Sequence, residues 1–413
     1  MPQFRNSDSE ELYLALTKES KLVEQVTSDE LGLLVLHVSE GCNLGCTYCF
    51  ADRGHYGETK AKWMSPDDAV ESVKQALKKY SGLRGIKFFG GEPLLNLDAI
   101  EAVCEYIKND SELKTLPDLH AVTNMTVLSD RSIKIINDYG INLTGSIDGP
   151  PELHNKFRIF ANGKGSFDKV DETIKKYREL TGQPKVLEVV YSPAHLDAGK
   201  SMEDVHRYLT ERYGIPNIII HPMEPHEPVN QYISERQWST YRESMYTQAS
   251  DYGEYFFSQS VDNEQYYNLA TYFSDMAADK QKDSHCDLGV DTITITAGGE
   301  VYPCYTFIGN KDFVMAESPK EIGTTKFEDI QSQFISNKKS DNATCRSCSI
   351  YKTCHQCPGE MLSQTGSINS VMPVSCDFMT GFIEGILAGL NKTKNNPVFW
   401  SAFSEKLDIN LSH

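Results

Sequence analysis

Between about residues 32 and 250, short apolar runs alternate six times with amphipathic stretches, and this alternation restricts the fold more than any other feature of the chain. The runs LLVLHV, IKFF, LHAVT, INLTGSI, PKVLEVVYS and NIIIHP have strand length. The stretches SPDDAVESVKQALKKY, LDAIEAVCEYIKND, DRSIKIINDYG, SFDKVDETIKKYREL, MEDVHRYLTERYG and ERQWSTYRESMYTQ carry apolar residues at helical spacing. Ser65-Pro66 marks one helix start, a capping hydroxyl ahead of a proline in the first turn. Repeated strand-helix units predict a parallel sheet with right-handed crossovers, whose functional groups gather at the carboxyl ends of the strands. Six units make an open barrel or a doubly wound sheet.

The rest of the chain is organised by cysteine. Ten of its eleven cysteines fall in two groups: Cys42, Cys46 and Cys49 near the start, then Cys286, Cys304, Cys345, Cys348, Cys354, Cys357 and Cys376 near the end. The amino-terminal segment has neither a basic stretch nor an apolar signal core, and no apolar run approaches the roughly 18 residues needed to span a bilayer. A cytoplasmic location is expected, and there closely spaced thiols read as metal ligands, not disulfides. With 40 basic against 58 acidic residues, the net charge of −18 disfavours partners with phosphate backbones or anionic lipid surfaces. Cys104 stands apart, on the apolar face of AIEAVCEYI, and reads as a packing residue.

Cys42-x3-Cys46-x2-Cys49 directly follows the first strand, where a barrel keeps its chemistry. Three thiolates cannot saturate a 4Fe-4S cluster, so one iron stays open to a chelating ligand. A zinc knuckle needs four ligands, and this loop offers only His55 as the fourth. The spacing, with Tyr48 before the last cysteine, resembles the radical S-adenosylmethionine (SAM) superfamily. Phe88-Phe89-Gly90-Gly91-Glu92-Pro93 is similar to that family's GGE motif: the glycines admit backbone carbonyls to a ligand ammonium, and the carboxylate pairs with its charge. Thr123-Asn124-Met125 stands where many relatives have Thr-Asn-Gly. Ser146-Ile147-Asp148-Gly149 resembles the ribose-contacting segment, and Arg158 is placed like the arginine that holds the methionine carboxylate. The resemblance implies a partial (β/α)6 TIM-like barrel that binds SAM through Tyr48, Gly90, Gly91, Glu92, Asn124, Ser146 and Arg158, with the triad as catalytic centre.

Gly299-Glu300-Val301-Tyr302-Pro303-Cys304, with Cys286 before it and Cys345-x2-Cys348-x5-Cys354-x2-Cys357 and Cys376 after it, resembles the SPASM extension of radical SAM peptide maturases. By that resemblance Cys345, Cys348, Cys354 and Cys376 ligate one auxiliary 4Fe-4S cluster. Cys286, Cys304 and Cys357 hold a second, which makes three clusters with the SAM-binding one. Seven cysteines are an awkward number for tetrahedral zinc. The chain thus divides into an N-terminal helical segment (1–31), the barrel (32–250), a helical linker (251–285), a small C-terminal iron-sulfur SPASM domain (286–377) and a C-terminal helix and tail (378–413).

The flavour of Cys49-Phe50-Ala51-Asp52-Arg53-Gly54 and of Tyr302-Pro303-Cys304 is most like thioether-forming maturases of the ranthipeptide and sactipeptide type. The expected partners are a precursor peptide and a flavodoxin- or ferredoxin-type electron donor. Carbon-carbon crosslinking, another peptide oxidation or anaerobic sulfatase maturation is the alternative. Sulfatase maturases carry an aspartate base directly after the cysteine matching Cys304, and here that position is Tyr305. Only 41 residues precede Cys42, which predicts an incomplete leader-recognition module. Ala194-x4-Gly199-Lys200-Ser201 has the strand-to-helix context of a phosphate loop. Alanine replaces its first glycine and no strand ending in Asp-Glu offers a magnesium site, so an NTPase is disfavoured.

Overall fold

The structure is a computed structural model, and it describes residues 3–18, 21–57, 60–111, 113, 115–223, 233–258, 276, 278 and 280–393. Its strands are Lys21–Val23 (β1), Glu30–Glu40 (β2), Lys62–Trp63 (β3), Gly82–Gly90 (β4), Asp118–Thr123 (β5), Asn142–Ser146 (β6), Val186–Tyr191 (β7), Ile218–Pro222 (β8), Lys280–Lys282 (β9), Thr292–Ile295 (β10) and Val301–Tyr302 (β11). The six apolar runs are β2, β4, β5, β6, β7 and β8. They lie side by side in that order, each parallel to the next. Helices Pro66–Lys79, Leu97–Asn109, Asp130–Tyr139, Phe167–Thr181 and Met202–Tyr213 follow successive strands and bury one apolar face each. Cys104 is buried on such a face, as expected. The mixed α/β architecture with its parallel sheet agrees with the open-barrel expectation.

The sheet does not stop at β2. β10 pairs in parallel with β2 (Thr294 opposite Val35), and β11 runs antiparallel beside β10. These strands of the cysteine-rich region occupy an edge that would otherwise leave backbone groups unpaired. TITI at 292–295 is too short to announce such pairing. Helix Glu235–Ser258 crosses the boundary expected at 250 without a break. Its partner is the Pro373–Lys392 helix, and the two approach closely through glycine: a Cβ on Gly385 would lie 2.4 Å from the Tyr246 carbonyl oxygen. The remainder of the expected linker at 259–275, and the tail beyond residue 393, lie outside the described residues.

The N-terminal segment contains helix Ser7–Leu16 and then β1, which pairs in parallel with β9. Ahead of that helix, the Arg5 and Asn6 amides donate to Oε1 of Glu384 at 2.5 and 2.6 Å, pinning this segment to the Pro373–Lys392 helix. The phosphate-loop-like stretch is taken up by helix Pro193–Asp197, whose His195 Nε2 lies 2.7 Å from the Asp148 carbonyl oxygen. Among the described residues no helix is long and apolar enough to cross a membrane.

Candidate active site

The loop carrying Cys42, Cys46 and Cys49 leaves β2 at Glu40 and is sewn down on two sides. The Gly91 amide donates to the Ser39 carbonyl at 2.7 Å and the Glu92 amide to the Gly41 carbonyl at 3.0 Å. Across the loop, Gly45 and Thr47 donate to the carbonyls of Ile159 and Phe157 at 2.7 and 3.0 Å. A Cβ on Gly91 would stand 2.3 Å from the Gly41 oxygen, and Gly90 has a φ of 125°. The cysteine loop packing on the glycine pair thus leaves no room for a side chain at either position. Past Cys49, Asp52, Arg53 and Tyr56 adopt left-handed φ values of 44°, 60° and 51°. Each such residue costs roughly 1–2 kcal/mol.

Burial pushes the Cys42 thiol up to about 12, with the nearby Glu92 adding to it, and the Cys46 thiol up to about 11. At neutral pH such groups become thiolates when a metal takes the proton's place. The Cys42 sulfur receives the Leu44 amide at 3.4 Å and Asn124 Nδ2 at 3.5 Å. Asn124 also donates to Asn43 Oδ1 at 2.9 Å, so it steadies the loop from the end of β5. Its neighbour Met125 has a φ of 57°, the conformation that glycine serves in the Thr-Asn-Gly pattern.

Glu92 is fully buried. Its Oε1 accepts from Thr123 Oγ1 at 2.8 Å and the Leu94 amide at 3.0 Å, and its Oε2 from the Asn124 amide at 2.7 Å. Desolvation raises its pKa to about 7 despite these donors. The carboxyl therefore ties the ends of β4 and β5 together from a fully buried position.

The opposite wall is a buried charge network. Arg158 Nε donates to Asp148 Oδ1 at 3.0 Å, Tyr48 donates to Oδ2 at 2.6 Å, and the Val190 amide reaches Oδ1 at 3.2 Å. The guanidinium carbon stands 5.3 Å from the centre of the Tyr48 ring. Burial opposes ionisation of Asp148, but Arg158, His154 and the Tyr48 hydroxyl outweigh it and hold the carboxyl below its ordinary value. Arg158 spends only Nε here; among the described residues its two Nη groups have no hydrogen-bond acceptor. Asp148, within the Ser146–Gly149 segment, serves as the anchor of this network; in the sequence its signal is an acid between an apolar strand end and a glycine. Ser146 ends β6 beside it, nearly buried.

Beyond β11 the chain delivers Cys304 and Tyr305 to the mouth of the barrel. The Tyr305 ring centre lies 4.8 Å from Phe89, 5.7 Å from Phe50 and 6.4 Å from His37. His37 is fully buried, kept neutral by desolvation that brings its pKa down to about 3, and both its ring nitrogens lack partners. Cys286, Cys304 and Cys357 all lie within electrostatic reach of Tyr305. Cys345, Cys348, Cys354 and Cys376 line one hollow, together with His285, Lys339 and Gln356, whose Nε2 donates to Cys376 Sγ at 3.2 Å.

The donor set fits iron-sulfur clusters. Burial pushes Cys345 up to about 11 and both Cys354 and Cys357 up to about 12, values that call for a metal if these groups are to be thiolates. The Tyr56 hydroxyl, beside Cys49 and Cys304, and His285 Nδ1, beside Cys354, are buried without partners, donors suited to sulfide. Among the described residues no three His, Cys, Asp or Glu side chains converge tightly enough for a single ion. Cluster ligands, each bound to a different iron, stand farther apart than the ligands of one tetrahedral zinc.

Residues 36–209 match the family model of the radical SAM superfamily. The chain carries a radical SAM domain. It is similar to the cysteine-type anaerobic sulfatase-maturating enzyme of Clostridium novyi (strain NT), 23% identical over 78% of this chain and 86% of that protein. The solved structure of native anSMEcpe with bound AdoMet gives a TM-score of 0.68 at 20% identity, covering 88% of this chain and 100% of that one. Streptococcus suis SuiB bound to precursor peptide SuiA gives 0.50 at 17% identity, covering 83% and 75%.

The radical SAM domain holds the triad, the Gly90-Gly91-Glu92 turn, Asn124, Ser146, Asp148 and Arg158. The seven later cysteines lie outside the matched residues, yet β10 and Tyr305 bring their region onto β2 and the barrel mouth. None of the eleven cysteines forms a disulfide.

Proposed function

We propose that this radical SAM enzyme is a peptide maturase that joins a cysteine sulfur to a carbon of a ribosomally made peptide. In this reading Cys42, Cys46 and Cys49 hold a 4Fe-4S cluster with one iron left for SAM. A reduced cluster there supplies the electron that splits SAM into methionine and a deoxyadenosyl group. Arg158, fixed by Asp148 and Tyr48, receives the methionine carboxylate through its two Nη groups, which have no acceptor among the described residues. Asn124 and Ser146 line the nucleoside side. Gly90, Gly91 and Glu92 frame the ammonium end, with Glu92 acting by holding β4 and β5 in place. Cys345, Cys348, Cys354 and Cys376 hold one auxiliary cluster, and Cys286, Cys304 and Cys357 a second.

The observation that carries the reading is the seat of Cys304 and Tyr305 against Phe89, His37 and the triad-loop residue Phe50. In this reading a peptide entering the barrel lies between the two cysteine sets. A precursor peptide accompanies SuiB in its solved complex, which supports the substrate class. Similarity to sulfatase maturases favours a second reading, oxidation of one cysteine side chain. Tyr305, in place of their aspartate, weighs against it. A flavodoxin- or ferredoxin-type protein is the proposed electron source.

The test is anaerobic incubation of the enzyme with the product of the neighbouring small open reading frame, followed by mass spectrometry. Loss of two hydrogens with the cysteine resistant to alkylation supports the thioether. A cysteine that remains alkylatable indicates another crosslink, and an aldehyde indicates the sulfatase-type oxidation.

A further inference from the structure

Alternate residues of β7 and β8 are more exposed than their neighbours, as strands lining a lumen require. Glu188 of β7 and His221 of β8 lie on this face. His221 Nε2 is 3.1 Å from Glu188 Oε1, and the two side chains keep 55% and 31% of their exposure. Among the described residues Nδ1 of His221 has no partner. Glu188 feels Arg158 from one side and Lys87 of β4 from another, and Tyr305 feels Glu188. The pair thus stands between the proposed SAM carboxylate site and the Cys304 end of the barrel. Among the described residues, further titratable groups around this lumen include His120 of β5, which pairs in register with Lys87, Cys46, Tyr48, and Asp148, already engaged by Arg158 and Tyr48.

A Glu-His pair on a partly exposed barrel face, with its second imidazole nitrogen unpartnered among the described residues, is an arrangement for proton transfer: the carboxylate orients the ring and shares the charge once it is protonated. We propose that His221, held by Glu188, accepts the proton released when a peptide is oxidised in this barrel. The inference rests on the peptide-oxidation reading above. Closing a thioether from an S–H and a C–H bond removes two hydrogens. One leaves as an atom to the 5′ carbon of the deoxyadenosyl group. The other leaves as a proton from sulfur to Nδ1 of His221 and an electron to an oxidised iron-sulfur acceptor. His221 is the proton acceptor and Glu188 its positioning residue.

A synthetic library of short peptides with one central cysteine, screened with the wild-type holoenzyme for loss of two hydrogens, supplies the probe. With a peptide so found, His221→Ala is expected to lower product formed per deoxyadenosine by roughly a hundredfold or more. It is also expected to abolish the rising limb of the pH profile, and to be partly rescued by added imidazole. Glu188→Asp should retain more product than Glu188→Gln. Independently of turnover, diethyl pyrocarbonate should label His221 in the free holoenzyme, and the peptide should protect it. Iron content equal to wild type certifies each variant; where His221→Ala loses iron, His221→Gln carries the comparison. Wild-type yield and an unchanged pH profile in the histidine variant, or labelling that the peptide does not prevent, overturns the assignment while leaving the maturase reading intact. Failure of the wild type to oxidise any peptide overturns both.

Discussion

The phenol of Tyr48 donates to Oδ2 of Asp148 at 2.6 Å, fastening the cysteine loop to the segment that follows β6. The same carboxylate takes Arg158 on its other oxygen, so one buried acid positions both an aromatic ring and a cation. Removing it strands a buried guanidinium. Asp148→Ala should therefore cost about 3–5 kcal/mol in anaerobic denaturant unfolding. Tyr48→Phe removes one hydrogen bond to a charged group and should cost about 1.5–3 kcal/mol. Because the folded pKa of Asp148 is depressed, its contribution is present above the unfolded value and lost as pH falls through the folded one. An Asp148→Ala variant as stable as wild type at neutral pH would show that the network does not hold the loop.

Glu92 carries the opposite sign. Its folded pKa is raised from 4.5 to about 7 by burial, so its favourable contribution is complete below the unfolded value and lost as pH rises through about 7. The stability of Glu92→Gln relative to wild type should improve as pH rises from 4.5 to about 7 and level off above that. A difference that stays flat across this range refutes the raised value.

Gly91→Ala tests the stitching of the two loops. The new methyl would meet the Gly41 oxygen at 2.3 Å, backbone against backbone. A loss of about 1–3 kcal/mol is expected, with weaker SAM binding in equilibrium dialysis because the triad loop must shift. Wild-type affinity and stability together would remove the packing argument.

Cysteine counting sets the metal content. Anaerobically prepared protein should hold about twelve irons, in three clusters of four. Replacing Cys42, Cys46 and Cys49 together by alanine should remove about a third of them and abolish deoxyadenosine formation. Zinc in the wild-type protein, or SAM cleavage in the triple variant, contradicts the cluster assignment.

Arg158→Ala should weaken SAM binding by about 1.5–3 kcal/mol, the worth of a charge-assisted contact in a partly dehydrated site. Calorimetric titration of the holoenzyme reads this directly, and an unchanged affinity removes Arg158 from the carboxylate site.

The sequence by itself determined the barrel strands, the helices between them and the cysteine triad. These are local signals: strand and helix periods repeat within a few residues, and Cys42, Cys46 and Cys49 ride one turn after β2. It also exposed Asp148 without its meaning, because partners at positions 48 and 158 share no period with it. Only the tertiary structure decided that β10 extends the sheet at β2, that Glu92 is spent on Thr123, Leu94 and Asn124, and that Tyr305 closes over Phe89. The pairing of Glu188 with His221 belongs to the same class. Each of these joins residues on different strands or loops, and which face meets which is set by sheet order and by the register of parallel strands, where a one-residue slip would turn every side chain away.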